Sequence, residues 1–440
     1  MRPVARGAHG VGLVMAVAGC TVVTPTQRPR PIAEVVPPPL VESGLDPPTP
    51  ALRPVRDFDE VRALWVVRYT MTSEESVRTM VARADQAGIN TLIVQVRGRA
   101  DAFYRSSLEP RAEPMTGPDD FDPLRLTIEE AHGRGMAVHA WVNTHLVWGS
   151  GRLPESPDHI VNAHPDWLAV PRALGRDLLG VDPFDPRFVS ALSQYARDRS
   201  RTVEGIYSSP SHPAVQDRVH AVWMDLAERY DLDGIHFDYI RFPSADYDYS
   251  VGALERFRIW VRTRLAEPRF RELDAAYAAD FYALVDGDAD LWADFRRAEV
   301  TRLVARIYRD VKAHNPRLVV SAAVVADPEV AFNDRFQDWR GWLREGILDV
   351  AVPMAYTPNS ARFEALVRAA RSASGDSRRL WAGIGAYMNS ADGTMEMIDI
   401  ARAEGAGGVV LFSYDWAIGE GRGDPDDPFL MRVGRGRFGR

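Results

Sequence analysis

The stretch GIHFDYIRFP, residues 234–243, sets an imidazole, a carboxyl and a guanidinium into a run that is otherwise apolar and aromatic. Burying any of the three without a partner is costly. Asp238 is therefore either a structural ion-pair partner for Arg241 or a carboxyl kept for proton transfer or nucleophilic attack. In an apolar setting its pKa depends on its company, and Arg68, Arg97 and Arg241 are the cations that could make it tolerable. His236 and His139 are each as readily hydrogen-bonded scaffold as direct participants. Trp141, Trp148, Trp381 and Trp416 could offer flat faces for sugar rings, although tryptophan is more often simply core.

The elements that must position these residues are legible from residue 57 onward. Short apolar runs recur at 63–68, 91–98, 137–145, 234–242, 318–326, 348–356, 380–388 and 407–415. Segments of helical spacing separate them. After the first run, Thr72 and Glu75 have capping-box spacing, Val77, Met80, Val81 and Ala84 fall on one face, and Gly88 stops the helix. Val215, Val219, Val222 and Leu226 repeat this grammar, as do Val300, Leu303, Val304, Ile307 and Val311. Eight strands each followed by helix predict an α/β fold of the (β/α)8 barrel type, with a doubly wound open sheet as the alternative. The longest connections, 146–233 and 243–317, flank the fourth strand, and long insertions usually hang from the catalytic face.

Alternation along a strand then sorts the side chains. Ile235, Phe237 and Tyr239 share the face suited to the outer helices, whereas His236 and Asp238 point into the lumen. The same parity sends His139, Trp141 and Asn143 inward from the third strand. It sends Gln95 and Arg97 inward from the second, and Met354 and Tyr356 from the sixth. Polar groups from several strands thus converge on the C-terminal end, where barrels of this class carry their sites.

Composition narrows the surroundings. The net charge of −8, or −10 if Arg2 and Arg6 leave with a leader, speaks against a nucleic-acid partner, which needs a basic face. Arg2 and Arg6 precede the run VGLVMAVAGC, too short for a mature bilayer span. Val17-Ala18-Gly19-Cys20 resembles a bacterial lipobox, with residues 1–19 as signal peptide and Cys20 lipidated; an ordinary leader with an incidental cysteine is the alternative. Thr21 after that cysteine suggests sorting to the outer membrane, facing the periplasm. Cys20 is the only cysteine, so neither a disulfide framework nor a thiolate metal site can form within the chain. Residues 20–56 are proline-dense and aperiodic, a spacer between membrane and domain. The barrel is expected over 57–420, and 421–440 reads as a loosely attached tail. No cluster has metal-ligand spacing, and no cofactor is called for.

The segments RALWV, GINTLIVQVRGRADAFYRSSLEP, HGRGMAVHAWVN, HPDWL, EGIYSSPSHPAVQDRV, YDLDGIHFDYIRFP and VPMAYT occur in this order. Together they resemble the bacterial glycosyl-hydrolase-like family 10 domain over about residues 57–420. The resemblance implies a (β/α)8 barrel with a sugar site at its C-terminal mouth. It makes Asp238 the central acid, with Arg97, His139, Asn143 and Tyr356 at polar positions around it. Relatives of this family include an outer-membrane lipoprotein that cleaves denuded peptidoglycan strands, so the implied activity is hydrolysis of a cell-envelope polysaccharide. Some relatives carry a second acid directly after the first, and here that position is Tyr239. The chitinase-type pattern DG-x-D-x-D-x-E is matched only at Asp233, Gly234 and Asp238, because His236 and Ile240 replace its other acids.

Glycoside hydrolysis usually employs two carboxyl groups, one to protonate the leaving oxygen and one as nucleophile or base. Asp101, Asp327 and Asp415 are candidates for the second, with Asp101 first because it lies in the RGRADAFY block. His236, Arg241 and Asp415 complete the substrate-binding candidates, and the arginines could grip a substrate carboxylate such as a muramic-acid lactyl group. A non-catalytic carbohydrate-binding barrel and a hydrolase of an exported biofilm polysaccharide are the competing readings.

Overall fold

The computed structural model describes residues 58–149, 151–419 and 428–439, with a short antiparallel pair at Gly423–Asp424 and Asp427–Pro428. The leader, Cys20 and the proline-dense spacer lie outside the described residues. Eight strands follow in chain order. They are β1 (Val61–Val66), β2 (Thr91–Arg97), β3 (Ala137–Asn143), β4 (Gly234–Asp238), β5 (Val319–Val325), β6 (Val350–Met354), β7 (Trp381–Gly385) and β8 (Gly408–Phe412). Each pairs in parallel with its neighbours in sequence, and β8 closes on β1 with Val61 opposite Gly408 and Trp65 opposite Phe412. This is the (β/α)8 barrel; seven of the eight strands fall within the apolar runs that predict them, and β1 overlaps its run but starts two residues ahead of it, at Val61.

Parallel strands covered on both faces need near-continuous apolar sequence. One face of β2, β3 and β4 (Leu92 and Val94, Val138, Ala140 and Val142, Ile235 and Phe237) belongs to the main core shared with the surrounding helices. The other face fills the lumen, where Ala63, Trp65, Ile93, Trp141, Val352, Trp381 and Val410 form a separate buried cluster.

The helix Glu74–Gln86 buries Val77, Met80, Val81 and Ala84 as its periodicity predicts, and Gly88 follows it at φ +73°. Its capping box, however, is Ser73 with Ser76, not Thr72 with Glu75: each serine Oγ accepts the other's backbone N–H at 3.2 Å. Thr72 still belongs to the 3-10 turn Arg68–Thr72, so the helix starts one residue later than its spacing suggests.

The insertion after β3 carries the antiparallel pair Leu146–Trp148 and Ile206–Tyr207 and a small core around Val147, Ile160, Leu168 and Phe188. The insertion after β4 is largely helical, with an aromatic cluster of Tyr249, Phe257, Trp292 and Phe295. Both leave from the rim of the barrel that carries the site.

The C-terminal segment is not a loose tail. Phe429–Arg437 is a helix whose Phe429, Leu430 and Val433 are buried in the main core, and Arg437 pairs with Asp399 at 2.6 Å. Gly434 packs so closely on Ala87 that an added Cβ would sit 2.4 Å from the Ala87 carbonyl oxygen. The apolar spacing inside an Arg- and Gly-rich sequence is what ties this segment down past residue 420.

Candidate active site

Asp238 ends β4 and turns its carboxyl into the mouth of the lumen, where only 7% of the residue remains exposed. Burial pushes its pKa up to about 6, against the opposing pull of Arg241, the Tyr239 N–H and the Trp141 indole. The Tyr239 N–H donates to Asp238 Oδ1 at 2.7 Å. The carboxyl faces a cavity of about 200 Å³ walled by Trp65, Trp141, Tyr356 and Phe412, with Arg68, Gln95, Arg99, Asn143, Tyr239 and Arg241 supplying its polar side. Tyr356 stands edge-on to Trp65 at 6.3 Å and is tilted against Phe412 at 5.5 Å, so the apolar wall is one interlocked set.

Asn143 at the end of β3 is the hub of the polar side. Its Oδ1 accepts from Gln95 Nε2 at 3.2 Å and Trp141 Nε1 at 2.9 Å, and its Nδ2 donates to the Gly98 carbonyl at 2.9 Å. These bonds fix the orientation of Gln95 and Trp141 beside the acid.

Two expectations from strand parity fail, one inward and one outward, each at a departure from regular strand geometry. The pairing of β2 with β3 shifts between Gln95 and Arg97, so that Gln95 lies opposite Trp141 but Arg97 lies opposite Val142. One residue of slip moves a side chain to the other face. Arg97 consequently leaves the lumen and is buried under its own loop. There it pairs with Glu109 at 3.1 Å and donates to the carbonyls of Asn143 and Thr144. Tyr239, expected among the outer helices, lines the cavity instead. Its φ of +50° breaks the alternation at the first residue after β4. A bulky residue in the left-handed region costs about 1–3 kcal/mol, which the surrounding packing must offset. Burial foremost, then Asp238, raises the phenol to about 12, so it stays protonated.

The two histidines sit below the mouth. His236 is fully buried, accepts from Trp65 Nε1 at 3.1 Å, and shares a 2.9 Å bond between Nδ1 and the Ser321 hydroxyl. His139 lies lower, beside Trp381 at 5.6 Å, in space that exists because position 234 is glycine: a Cβ there would meet its ring at 2.6 Å. Burial lowers both imidazoles, His139 to about 4, so both are neutral scaffold.

None of the proposed second carboxyls lines the cavity. Asp101 caps its own turn, accepting the Arg99 N–H at 2.7 Å. Asp415 ties the end of β8 to the loop after β1 through Val67 N–H at 2.9 Å and the Thr70 hydroxyl at 2.6 Å. Asp327 caps the helix Pro328–Asp334. Glu204, which sequence reasoning passed over, stands behind Arg241, accepting from its Nη2 at 3.2 Å and from the Tyr207 hydroxyl at 2.7 Å. Burial opposes its charge, but Arg241 and Tyr207 outweigh that and hold its pKa below the usual range. Only its place in the EGIY segment of the first insertion could have drawn attention to it. Arg99 was passed over too, two residues beyond the bulge. Among the described residues, no group of three or more His, Cys, Asp or Glu is placed to hold a metal ion.

Comparison with known proteins gives this geometry its relatives. Glycosyl hydrolase DigH of Escherichia coli K12 is 25% identical over 346 residues, which cover 71% of this chain and 66% of that protein. Glycosyl hydrolase YngK of Bacillus subtilis 168 is 25% identical over 345 residues, covering 70% of this chain and 56% of that one. The chain thus matches just under two thirds of the first relative's length and little more than half of the second's. Among solved structures, the PgaB (BpsB) glycoside hydrolase domain of Bordetella bronchiseptica superposes with a TM-score of 0.56 at 15% identity, over 85% of this chain and 98% of that one. Gan42B, a GH42 β-galactosidase of G. stearothermophilus, gives 0.53 at 16% identity over 86% and 56%. These two likenesses establish the barrel. The model of the Glycosyl hydrolase-like 10 family matches residues 60–385, and the chain belongs to that family.

Proposed function

We propose that this chain is a glycoside hydrolase of the cell envelope, acting on peptidoglycan glycan strands with Asp238 as its working carboxyl. The observation that carries the reading is a lone acid, held near pH 6 by burial, at the mouth of an aromatic-walled cavity in a glycosyl hydrolase-like barrel. A general acid works best with a pKa near the operating pH, and flat apolar rings suit the faces of sugars. Because Asp101 and Asp415 are bound elsewhere, the second group comes from the substrate in this reading. The 2-acetamido oxygen of an N-acetyl sugar attacks the anomeric carbon, while Asp238 protonates the departing glycosidic oxygen. Water then opens the cyclic ion as the Asp238 carboxylate takes up its proton, restoring the acid. The names of the relatives, both glycosyl hydrolases, support the reaction class.

Asp238→Asn in the full chain tests the assignment on purified glycan strands: the parent releases fragments detectable by mass and the variant releases none. The same lack of a second carboxyl in the cavity favours one rival, a barrel that binds the polymer without cutting it. Strands retained by the parent but never shortened would establish that rival. We also propose export and tethering through Cys20, supported by the basic start, the apolar run and the Val17-Ala18-Gly19-Cys20 sequence. Cys20→Ser should move the protein from the membrane fraction to the soluble one and abolish fatty-acid labelling.

A further inference from the structure

We infer that the mouth of the barrel holds a carboxylate carried by the sugar itself, gripped by Arg68, Arg99 and Arg241. The inference rests on the hydrolase reading and deepens it by fixing the class of sugar. The cavity presents three guanidiniums against one carboxyl, Asp238. Elsewhere in the molecule arginines meet acids directly, as in Arg187 with Asp185 at 2.6 Å and Arg402 with Glu60 at 2.7 Å. Arg68 is held instead by neutral groups, Gln95 Oε1 at 3.1 Å and the Tyr69 hydroxyl at 2.7 Å. The Arg99 side chain donates to the Gly98 carbonyl at 3.0 Å. Neither Arg68 nor Arg99 makes an ion pair among the described residues. They also stand close enough that, after burial, the charge on Arg99 is the next largest cause lowering the Arg68 pKa. The Asp101 carboxylate nearby offsets part of this repulsion without pairing with either guanidinium, and an anion bound between the two cations removes more of it.

Arg241 adds unmet donors. Its residue is 6% exposed, Nη2 reaches Glu204, and Nε and Nη1 find no acceptor among the described residues. Buried guanidinium donors left unpaired are costly, so this is an arrangement that a ligand completes. The backbone is fitted to it as well: a Cβ on Gly98 would lie 2.2 Å from Arg68 Cδ and 2.9 Å from its Nε. Glycine at 98 is what lets Arg68 fold across the chain into the cavity. Planar guanidiniums match a carboxylate better than any neutral sugar hydroxyl. The carboxylate could belong to the lactyl ether of a muramic acid or to a uronic acid.

The test uses the full chain carrying Asp238→Asn, so that polymers bind without being cut. Retention is measured on peptide-free glycan strands and on hyaluronan, each also with its carboxyls capped as methylamides. Capping is expected to weaken binding about tenfold or more, the value of a charge-assisted hydrogen bond. Adding Arg68→Gln, Arg99→Gln or Gly98→Ala should erase that preference by lowering affinity for the free polymer far more than for the capped one, whereas mere damage to the fold would lower both alike. Equal binding of capped and free polymers, or equal loss of both in the variants, overturns the anion site. If hyaluronan binds more tightly than glycan strands, the anion site stands and the peptidoglycan reading falls. If the parent chain cuts capped and free strands at the same rate, the hydrolase reading stands and the anion site falls.

Discussion

Midway up the lumen, His236 faces inward with both ring nitrogens satisfied, by Trp65 and Ser321. Two residues on, Asp238 faces the same way, with the Tyr239 N–H and the Trp141 indole beside its carboxyl and a cavity before it. Both are buried polar groups on one strand. Around His236 the inward polar atoms are paired and behave as core, while the His139 Nδ1 beneath it has no hydrogen-bond partner among the described residues. The upper layer holds an under-solvated acid, two arginines, Arg68 and Arg99, that make no ion pair among the described residues, and a tyrosine in a strained backbone. An inward polar side chain therefore does not mark a site by itself; what marks it is unmet chemistry that faces an open cavity.

Substitutions in the two layers should separate cleanly. At the rim, Asp238→Asn is expected to lower turnover of glycan strands by about 10²–10⁴-fold, the usual contribution of a positioned acid, with circular dichroism unchanged. One layer down, His236→Ala should leave the Trp65 N–H and the Ser321 hydroxyl without their partner. Its cost falls on stability, about 2–4 kcal/mol in denaturant melts. A folded, fully stable His236→Ala chain would erase the distinction.

The acid also leaves a pH signature. Asp238 binds its proton more tightly folded than unfolded, so the stability it contributes is complete below about pH 4 and is lost as pH rises through about 6. The loss approaches about 3 kcal/mol above that pH. Asp238→Asn lacks it, so the melting temperature of the variant should overtake the parent's above pH 6 and fall back to parity near pH 4. The smallest effect is expected at Asp101. Its carboxyl serves a turn outside the cavity, so Asp101→Asn should change the barrier by no more than about 0.5 kcal/mol, roughly twofold in rate. A loss comparable to that of Asp238→Asn would return Asp101 to the mechanism.

Much of this arrangement is written in the sequence because alternation and burial are local properties. Apolar runs bounded by turns locate all eight strands, and parity alone sends His139, Asn143, His236, Asp238 and Tyr356 into the lumen. It fails where the strand stops being regular. A bulge between Gln95 and Arg97 and a positive φ at Tyr239 leave no periodic trace, and both fall at the C-terminal ends, where strands give way to functional loops. Long-range partners are equally silent. Nothing around Asp101 or Asp415 signals that backbone N–H groups will claim them, nor does anything in the first insertion announce that Glu204 will back Arg241. The C-terminal helix was hidden by its arginines and glycines, which mask the apolar spacing of Phe429, Leu430 and Val433.

The central claim concerns the protonation of one side chain, and carboxyl-carbon NMR of the labelled chain, with Asp238→Asn to assign the signal, reads it directly. The Asp238 resonance should titrate with a midpoint near pH 6 and move toward the ordinary range when Trp65 or Tyr356 is replaced by a small side chain that admits water. A midpoint near about 4, the value of a solvated aspartate, would contradict a carboxyl held in reserve at the mouth of the barrel.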